Sequence, residues 1–442
     1  MKRVSFVCLI LLLAGAAAGW AAGSAEPAAA TGPELVYWHF GNDEQIRVHQ
    51  EGVEQFNEMN HGFTVRYVER PDSREAMAAA IAGGRGPDIF HYNQNVPWFF
   101  GDDSIYPLNE FVNDPDIGMD PEAFFPAPRQ SVNYGGNVIA IPMRFMPGGV
   151  TYNRQMLLDA GLDPSDPPRT WAEFEEWALA LTIREGGQVV QWGVTVSSVD
   201  WLLQEVMFAN GGDWNNDDLS EYAPYPEELT EGLAWINRLV HELRVMPVPR
   251  GVSWVGAPEM MAGDAGIVNE MAAMQIGWGG FRGFEITNPN IEGGVFPIPR
   301  GPRAGDTVRL STGYDGMHMM MPGQHAREGY LFAKWFAENK ALEYAWVTGV
   351  FPAYVSDLTR YEDDPAFAQM IPHLMQNPVR RFHVFPARLD VRSEEPAMVE
   401  NVLMGRFTPQ EAVRVFKQHA DRVFQENQRE LQRFRENHRI VW

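Results

Sequence analysis

The sequence predicts an α/β protein built as two lobes, and three observations carry that expectation. From Leu35 onward, short apolar strand-like runs alternate with amphipathic helical runs, the pattern of βαβ units around a mainly parallel sheet. A proline-interrupted extended stretch, "NVIAIPMRFMPGGVTYN" (137–153), then breaks the alternation. Strong turn signals follow, after which the alternation restarts. A length of 442 residues is ample for two domains.

The first residues read as an export signal. Lys2 and Arg3 precede an apolar run from Val4 to Leu13, then small residues and Trp20-Ala21-Ala22. The apolar run is too short to span a bilayer, so residues 1–22 are expected to be cleaved rather than to anchor the chain. The single cysteine, Cys8, sits inside the apolar run, where it is badly placed to carry a lipid. The mature chain would hold no cysteine, hence no disulfide, thiolate nucleophile or Cys-ligated zinc. Residues 23–33, "GSAEPAAATGP", read as a flexible leader. The formal net charge is −23, and loss of Lys2 and Arg3 makes it more negative still. Nucleic-acid binding needs a basic footprint, so this balance argues against it.

Along the first lobe, "ELVYWHF" reads as a strand, Glu44 to Asn60 as a helix, "FTVRYVE" as a strand and "SREAMAAAIAGG" as a helix stopped by glycine. "PDIFHYN" returns as a third strand. Ligands of such sheets sit at the carboxyl ends of the strands, which places Trp38 to Asp43 and His91 to Asn95 on one rim. Pro142 and Pro147 would be misplaced inside one sheet, so the run Val138 to Ile141 is expected to stop there and to resume at Val150 to Tyr152 as the chain enters a second globule. Beyond it, Gly161 ends a short helix, Asp163 to Pro168 favours turn geometry, and Thr170 with Glu173 forms a capping box. Trp171, Phe174, Trp177, Ala178 and Leu181 share one face of the helix so opened.

Later elements follow the same logic. "VVQWGVTV" is a strand, "DWLLQEVMFANGG" and "YPEELTEGLAWINRLVHEL" are helices, and "MAAMQIGWGG" is a strand. "TGYDGMHMMM" is strand-like, "AREGYLFAKWFAENKALEYAW" helical, and Thr408 to Glu411 opens a last amphipathic helix with Val413, Phe416, Ala420 and Val423 on its apolar stripe.

The pieces "ELVYWHFGND", "GRGPDIFHYNQN", "VIAIPMRFMPGGVTYNRQMLLDAGL", "PPRTWAEFEEWA", "MAAMQIGW", "PIPRGP" and "GRFTPQEAV" resemble, in order and over nearly the whole mature chain, the sugar-binding solute-binding proteins of ABC importers. The resemblance implies a two-lobed periplasmic binding protein fold with discontinuous lobes and a hinge of crossing strands. On that pattern, 34–143 with 311–350 form the first lobe and 144–310 with 351–442 the second. It implies a periplasmic monomer that passes a carbohydrate to a membrane permease, needing no cofactor; the placement of Cys8 adds that it is unlipidated.

Carried over residue by residue, the resemblance puts Trp38, Asn42 and Asp43 on the first rim. It makes Tyr92 an aromatic platform beside Asn93 and Asn95, and sets Trp201 and Trp278 in the second lobe's half of the cleft. Arg144, on the crossing stretch, and Asp315, in the second strand-like run, complete the candidate set. The replacement of the usual aromatic near Arg392 by "LDVRSEEP" disfavours a long maltodextrin. These residue types suit a sugar, whose C–H face stacks on an aromatic ring and whose hydroxyls need fixed donors and acceptors. Trp177, Trp235 and Trp335 lie on amphipathic helices and are expected in the core.

Other signals carry less. "GVSWV" lacks the last glycine of a nucleophile elbow, and "GWGGFRG" has the wrong spacing for a dinucleotide loop. Met317 to Met321 reads as a buried strand rather than a soft-metal site. The eleven histidines are scattered without a metal-binding motif, so no metal is expected. A charged solute, kept in view by Arg144 and Arg388, and a secreted carbohydrate-active enzyme are the alternative functions.

Overall fold

The computed structural model describes residues 32–437 apart from 72, 94–95, 97–103, 217–219, 223–224, 249–264, 279, 281, 306–310, 321–322, 365, 377–390 and 392–393. The export signal, almost all of the leader, Asn95, Arg388 and the "GVSWV" stretch therefore lie outside the described residues.

The first lobe opens as expected. Strand β1 (Glu34–His39) leads to α1 (Asp43–Glu58), β2 (Thr64–Glu69) to α2 (Arg74–Ala82), and then comes β3 (Ile89–Asn93). Caps explain where the helices begin. The Gln45 amide donates to Asn42 Oδ1 and the Asn42 amide to Gln45 Oε1, each at 3.0 Å, and the Ala76 amide donates to Ser73 Oγ at 3.1 Å. A hairpin of β4 (Asn133–Tyr134) and β5 (Asn137–Val138) turns on Gly135 and Gly136, both at positive φ.

Strand β6 (Ile141–Asn153) departs from expectation, running unbroken through Pro142 and Pro147. The ladder tolerates Pro142 because it pairs opposite Gly316, next to a register shift between Asp315 and Gly316. The predicted strand at Val138 to Ile141 is instead split, Val138 ending the hairpin and Ile141 beginning β6.

After β6 come α3 (Arg154–Asp159), capped by Asn153, and α4 (Trp171–Ala180), whose Thr170–Glu173 capping box forms as read. Then follow β7 (Ile183–Glu185), β8 (Gln188–Val196), α5 (Val199–Ala209), α6 (Pro226–Asn237), β9 (Ala272–Trp278), β10 (Gly293–Phe296) and β11 (Thr312–Met319). The long helix predicted beyond β11 breaks at Lys340 (φ −127°) into α7 (Ala326–Asn339) and α8 (Ala341–Thr348). Strand β12 (Phe351–Pro352) and helices α9 (Pro409–Glu426) and α10 (Gln428–Asn437) close the described chain.

The strands bond in the order β2-β1-β3-β11-β6-β9-β8-β7, with β10 and β12 also on β6. The sheet is mixed rather than mainly parallel. β1 is parallel to β2 and β3, and β8 to β9, whereas β11 is antiparallel to both of its neighbours and β6 to all four of its own. The reason is topological: β6 carries the chain out and β11 carries it back, so the two must run in opposite directions.

Packing follows the periodicity in most places. Trp171 and Trp235 are buried and stack at 4.5 Å between ring centres, while Val413, Phe416, Ala420 and Val423 of α9 are buried as their stripe requires. Met317, Met319 and Met320 are likewise core. Trp177 and Trp335 are only partly buried, their rings edge-on to Phe296 and Phe56. Both lie at the border of an apolar stripe rather than at its centre, which periodicity alone does not separate.

Candidate functional site

The register of β6 defines a gap between two sets of strand ends. On one side β3 ends at Asn93, which is opposite Asp315 of β11, itself opposite Arg144 of β6. On the other side β9 ends at Trp278, opposite Gly148 of β6. The carboxyl ends of β3 and β9 thus point toward each other along one strand, separated by the rise from residue 144 to residue 148, about 13 Å at 3.3 Å per residue. Carboxyl ends of strands are where α/β sheets place ligands. Here two such edges meet.

The candidate residues fall around this gap in different ways. Tyr92 lies one residue before the end of β3, is partly exposed and stacks on Phe90 at 5.0 Å. Burial, more than any charge, raises its phenol pKa, so the hydroxyl is neutral and able to donate. Asn42 and Asp43 are exposed at the start of α1, Asn42 already engaged in the cap. Asn93 and Trp278 occupy the strand ends, and Trp201 lies in α5 one turn before Glu205, although the side chains of these three are outside what is described.

Trp38 is a correction. Its ring is 5% exposed and packs edge-on against Phe90 at 6.1 Å, because Trp38 precedes the last residue of β1 and points into the core. The rim position belongs to Phe40, two residues on and 43% exposed, over which the Arg70 guanidinium lies at 4.7 Å. Arg70 also lies 5.0 Å from the Tyr92 ring centre. The sequence reading missed Arg70, and it placed Phe40 on the rim only within the range Trp38 to Asp43 without singling it out. The available signal was position: Phe40 is the first residue past the strand.

Arg144 and Asp315 come together, but as partners of each other. Arg144 Nε donates to Asp315 Oδ2 at 2.8 Å, a second guanidinium nitrogen reaches the same oxygen, and Tyr344 of α8 lies 4.5 Å below the guanidinium. Both side chains are nearly buried, at 11% and 14% exposure. The pair clamps β6 to β11 at the point where β3 ends. A second buried polar group stands beyond the gap. Ser311 Oγ donates to Glu205 Oε1, and the Gly148 amide donates to the Ser311 carbonyl at 2.9 Å. A Cβ at position 148 would collide with the Glu205 carboxylate, so glycine leaves room for that carboxyl group against the crossing strand. Burial drives the Glu205 pKa well up, against a smaller opposing effect of the Ser311 backbone.

A profile of the bacterial extracellular solute-binding protein family matches residues 44–343. The chain belongs to this family. Among curated relatives of this solute-binding protein, the maltotriose-binding protein of Pyrococcus abyssi is 25% identical over 144 residues, covering 32% of this chain and 29% of that one. The sn-glycerol-3-phosphate-binding periplasmic protein of Yersinia pestis is 26% identical over 147 residues, covering 32% and 34%. The match thus spans about a third of each relative. Among solved structures, the cyclic α-maltosyl-1,6-maltose binding protein of Arthrobacter globiformis superposes with a TM-score of 0.72 at 19% identity, over 89% of this chain and all of that one. The maltose/maltodextrin-binding domain from Bdellovibrio bacteriovorus gives 0.68 at 18%, with coverage of 89% and 100%. The fold is therefore that of the two-lobed periplasmic binding proteins, and β6 with β11 is its crossing.

Two expectations test the polar groups at this crossing. Arg144→Met leaves Asp315 buried without its partner and should lower the unfolding free energy of the ligand-free protein by about 3–5 kcal/mol in urea titrations. A variant of unchanged stability that loses only ligand affinity would show that Arg144 serves the ligand instead. Glu205 folds as the neutral acid, so its contribution is fully present below the unfolded value near 4.5 and is lost as pH rises through the raised folded value. Glu205→Gln should therefore gain on the wild type as pH rises from 5 to 8, by at most about 1.4 kcal/mol per pH unit. A difference independent of pH would mean that Glu205 is ionised in the folded protein.

Proposed function

We propose that this solute-binding protein captures a short carbohydrate between the carboxyl ends of β3 and β9 and hands it, unchanged, to the membrane permease of an ABC importer. The observation that carries the proposal is the pair of opposed strand ends on β6, about 13 Å apart, with the half-open Tyr92 at one of them. A phenol ring in that position offers its face to sugar C–H groups and its hydroxyl to a ring hydroxyl. The sugars for which the Pyrococcus relative and both solved structures are named support the same class. The ligand would touch both sets of strand ends only when they close, and this difference in contact is what would stabilise the closed form. We also propose that residues 1–22 direct export, that the mature protein carries no lipid, and that it acts as a periplasmic monomer. No helix among the described residues is long and apolar enough to cross a membrane.

An anionic solute is the second reading. It is favoured by the Arg70 guanidinium lying over Phe40 and Tyr92 at the rim, and by the glycerol-phosphate-binding relative.

Thermal-shift and calorimetric titrations against neutral mono- and oligosaccharides, uronates and glycerol phosphates separate the two. A neutral saccharide should raise the melting temperature, bind at micromolar Kd or tighter (about 8 kcal/mol), and be recovered chemically intact after long incubation. Tyr92→Ala should weaken that binding more than tenfold with little change in the ligand-free melting temperature. Binding of the anionic ligands alone would replace the first reading by the second, and a cleaved saccharide would identify an enzyme.

A further inference from the structure

Folding gathers three histidines that the sequence scatters. His39 ends β1, His91 lies within β3, and His49 sits on the buried face of α1. Their exposures are 1%, 4% and 0%, and one ring nitrogen from each lies within 4.8 Å of the others. They occupy the face of the sheet opposite Tyr92, walled by Phe336 of α7 and Tyr344 of α8. The Arg144–Asp315 pair is close enough to affect the charge on His39.

The hydrogen bonds around these rings are one-sided. His49 Nδ1 lies 2.7 Å from Tyr37 Oη, and His39 Nδ1 lies 3.4 Å from Tyr67 Oη. In the tautomer whose Nδ1–H donates to those oxygens, Nε2 of each ring carries a lone pair; neither Nε2 has a hydrogen-bond partner. Both nitrogens of His91 are likewise buried without one. Buried nitrogens in this number are not normally left unpartnered. Desolvation, reinforced by the neighbouring histidines and Arg144, pushes the His39 pKa down to about 2 and those of His49 and His91 well down, so all three rings are neutral. Water or a cation could satisfy such lone pairs, whereas an anion could not.

We propose that His39, His49 and His91 form a buried site for one borderline transition-metal cation of the zinc(II) class, which ties β1, β3 and α1 together. The donor set decides the class. Three neutral imidazoles suit zinc, cobalt, nickel or copper, while magnesium and calcium require the oxygen ligands that this cluster lacks. The outer tyrosine hydroxyls fix which nitrogen faces inward, as the second layer of a metal site does. The His39 ring stacks on His49 at 3.7 Å and on His91 at 5.1 Å, each at 24° between planes. Binding therefore has to turn the rings until their lone pairs converge, drawing the nitrogens from within 4.8 Å to the roughly 3.4 Å separation set by metal–nitrogen bonds of about 2.1 Å in a tetrahedral site. All three rings are buried, so the role is structural, with a water molecule completing the tetrahedron that three imidazoles leave one donor short.

The test uses the full chain, unfolded in urea with EDTA, dialysed, and refolded with or without one equivalent of zinc chloride, cobalt chloride or magnesium chloride. One zinc per chain should survive gel filtration, the melting temperature should rise by several degrees with zinc and not with magnesium, and the cobalt protein should show the intense visible bands of tetrahedral coordination. His91→Phe, a ring of similar size in an apolar wall, should keep its near-ultraviolet circular dichroism and bind zinc at least 100-fold more weakly. Zinc retained equally by His91→Phe, no stoichiometric zinc in the wild type, or the weak bands of octahedral cobalt would each overturn the proposal. If His91→Phe fails to fold, the cobalt spectrum of the wild type decides.

Discussion

Thirteen consecutive residues of β6 are bonded to β11 over their first half and to β9 and β10 over their second, so two half-sheets share a single backbone. Much else in the molecule follows from that shared strand. The chain must return, and β11 does so antiparallel, which makes the sheet mixed. The carboxyl ends of β3 and β9 are aimed at each other because both lie in ladders anchored on the same crossing. The ligand space proposed between them is the stretch of β6 and β11 that neither β3 nor β9 covers.

The crossing is also where the chain buries ionisable groups. Arg144 with Asp315 marks the end nearest β3, and Glu205 with Ser311 marks the end nearest β9. Hydrophobic residues of similar size would hold the strands at less desolvation cost, so these groups are poor evidence for stability. What they add is position. A guanidinium that reaches one carboxylate oxygen with two nitrogens ties β6 to β11, and the Glu205 carboxyl of α5 is lodged against Gly148. Tyr344 beneath Arg144 extends the constraint to the helical layer, and so to the three histidines on the same face.

Local signals were readable wherever the physics is local. Caps at Thr170 and Thr408 and the stripe of α9 depend on residues within a turn or two of each other, and all form as their spacing requires. The crossing was readable from its prolines, although for a partly mistaken reason: the strand does not stop at Pro142, because its pairing opposite Gly316 beside a bulge removes the need for an amide there. What escaped were the properties decided by partners far along the chain. Arg144 reads as a ligand contact until Asp315, 171 residues away, is known to neutralise it. Trp38 and Phe40 differ by two positions, and only the place where β1 ends decides which faces solvent. The histidines at 39, 49 and 91 have no motif, since the topology of β1, α1 and β3 brings them together. The family resemblance supplied the two-lobed plan, which local periodicity supports without fixing the lobe boundaries.

As proposed, β6 and β11 form a hinge on which two lobes close over a carbohydrate. Small-angle X-ray scattering of the mature protein, before and after saturation with a saccharide that raises its melting temperature, tests this directly. The account predicts a smaller radius of gyration and a shorter maximum dimension in the saturated protein, as lobe closure requires. An identical scattering profile in the two states, at a saccharide concentration shown by calorimetry to be saturating, would contradict it.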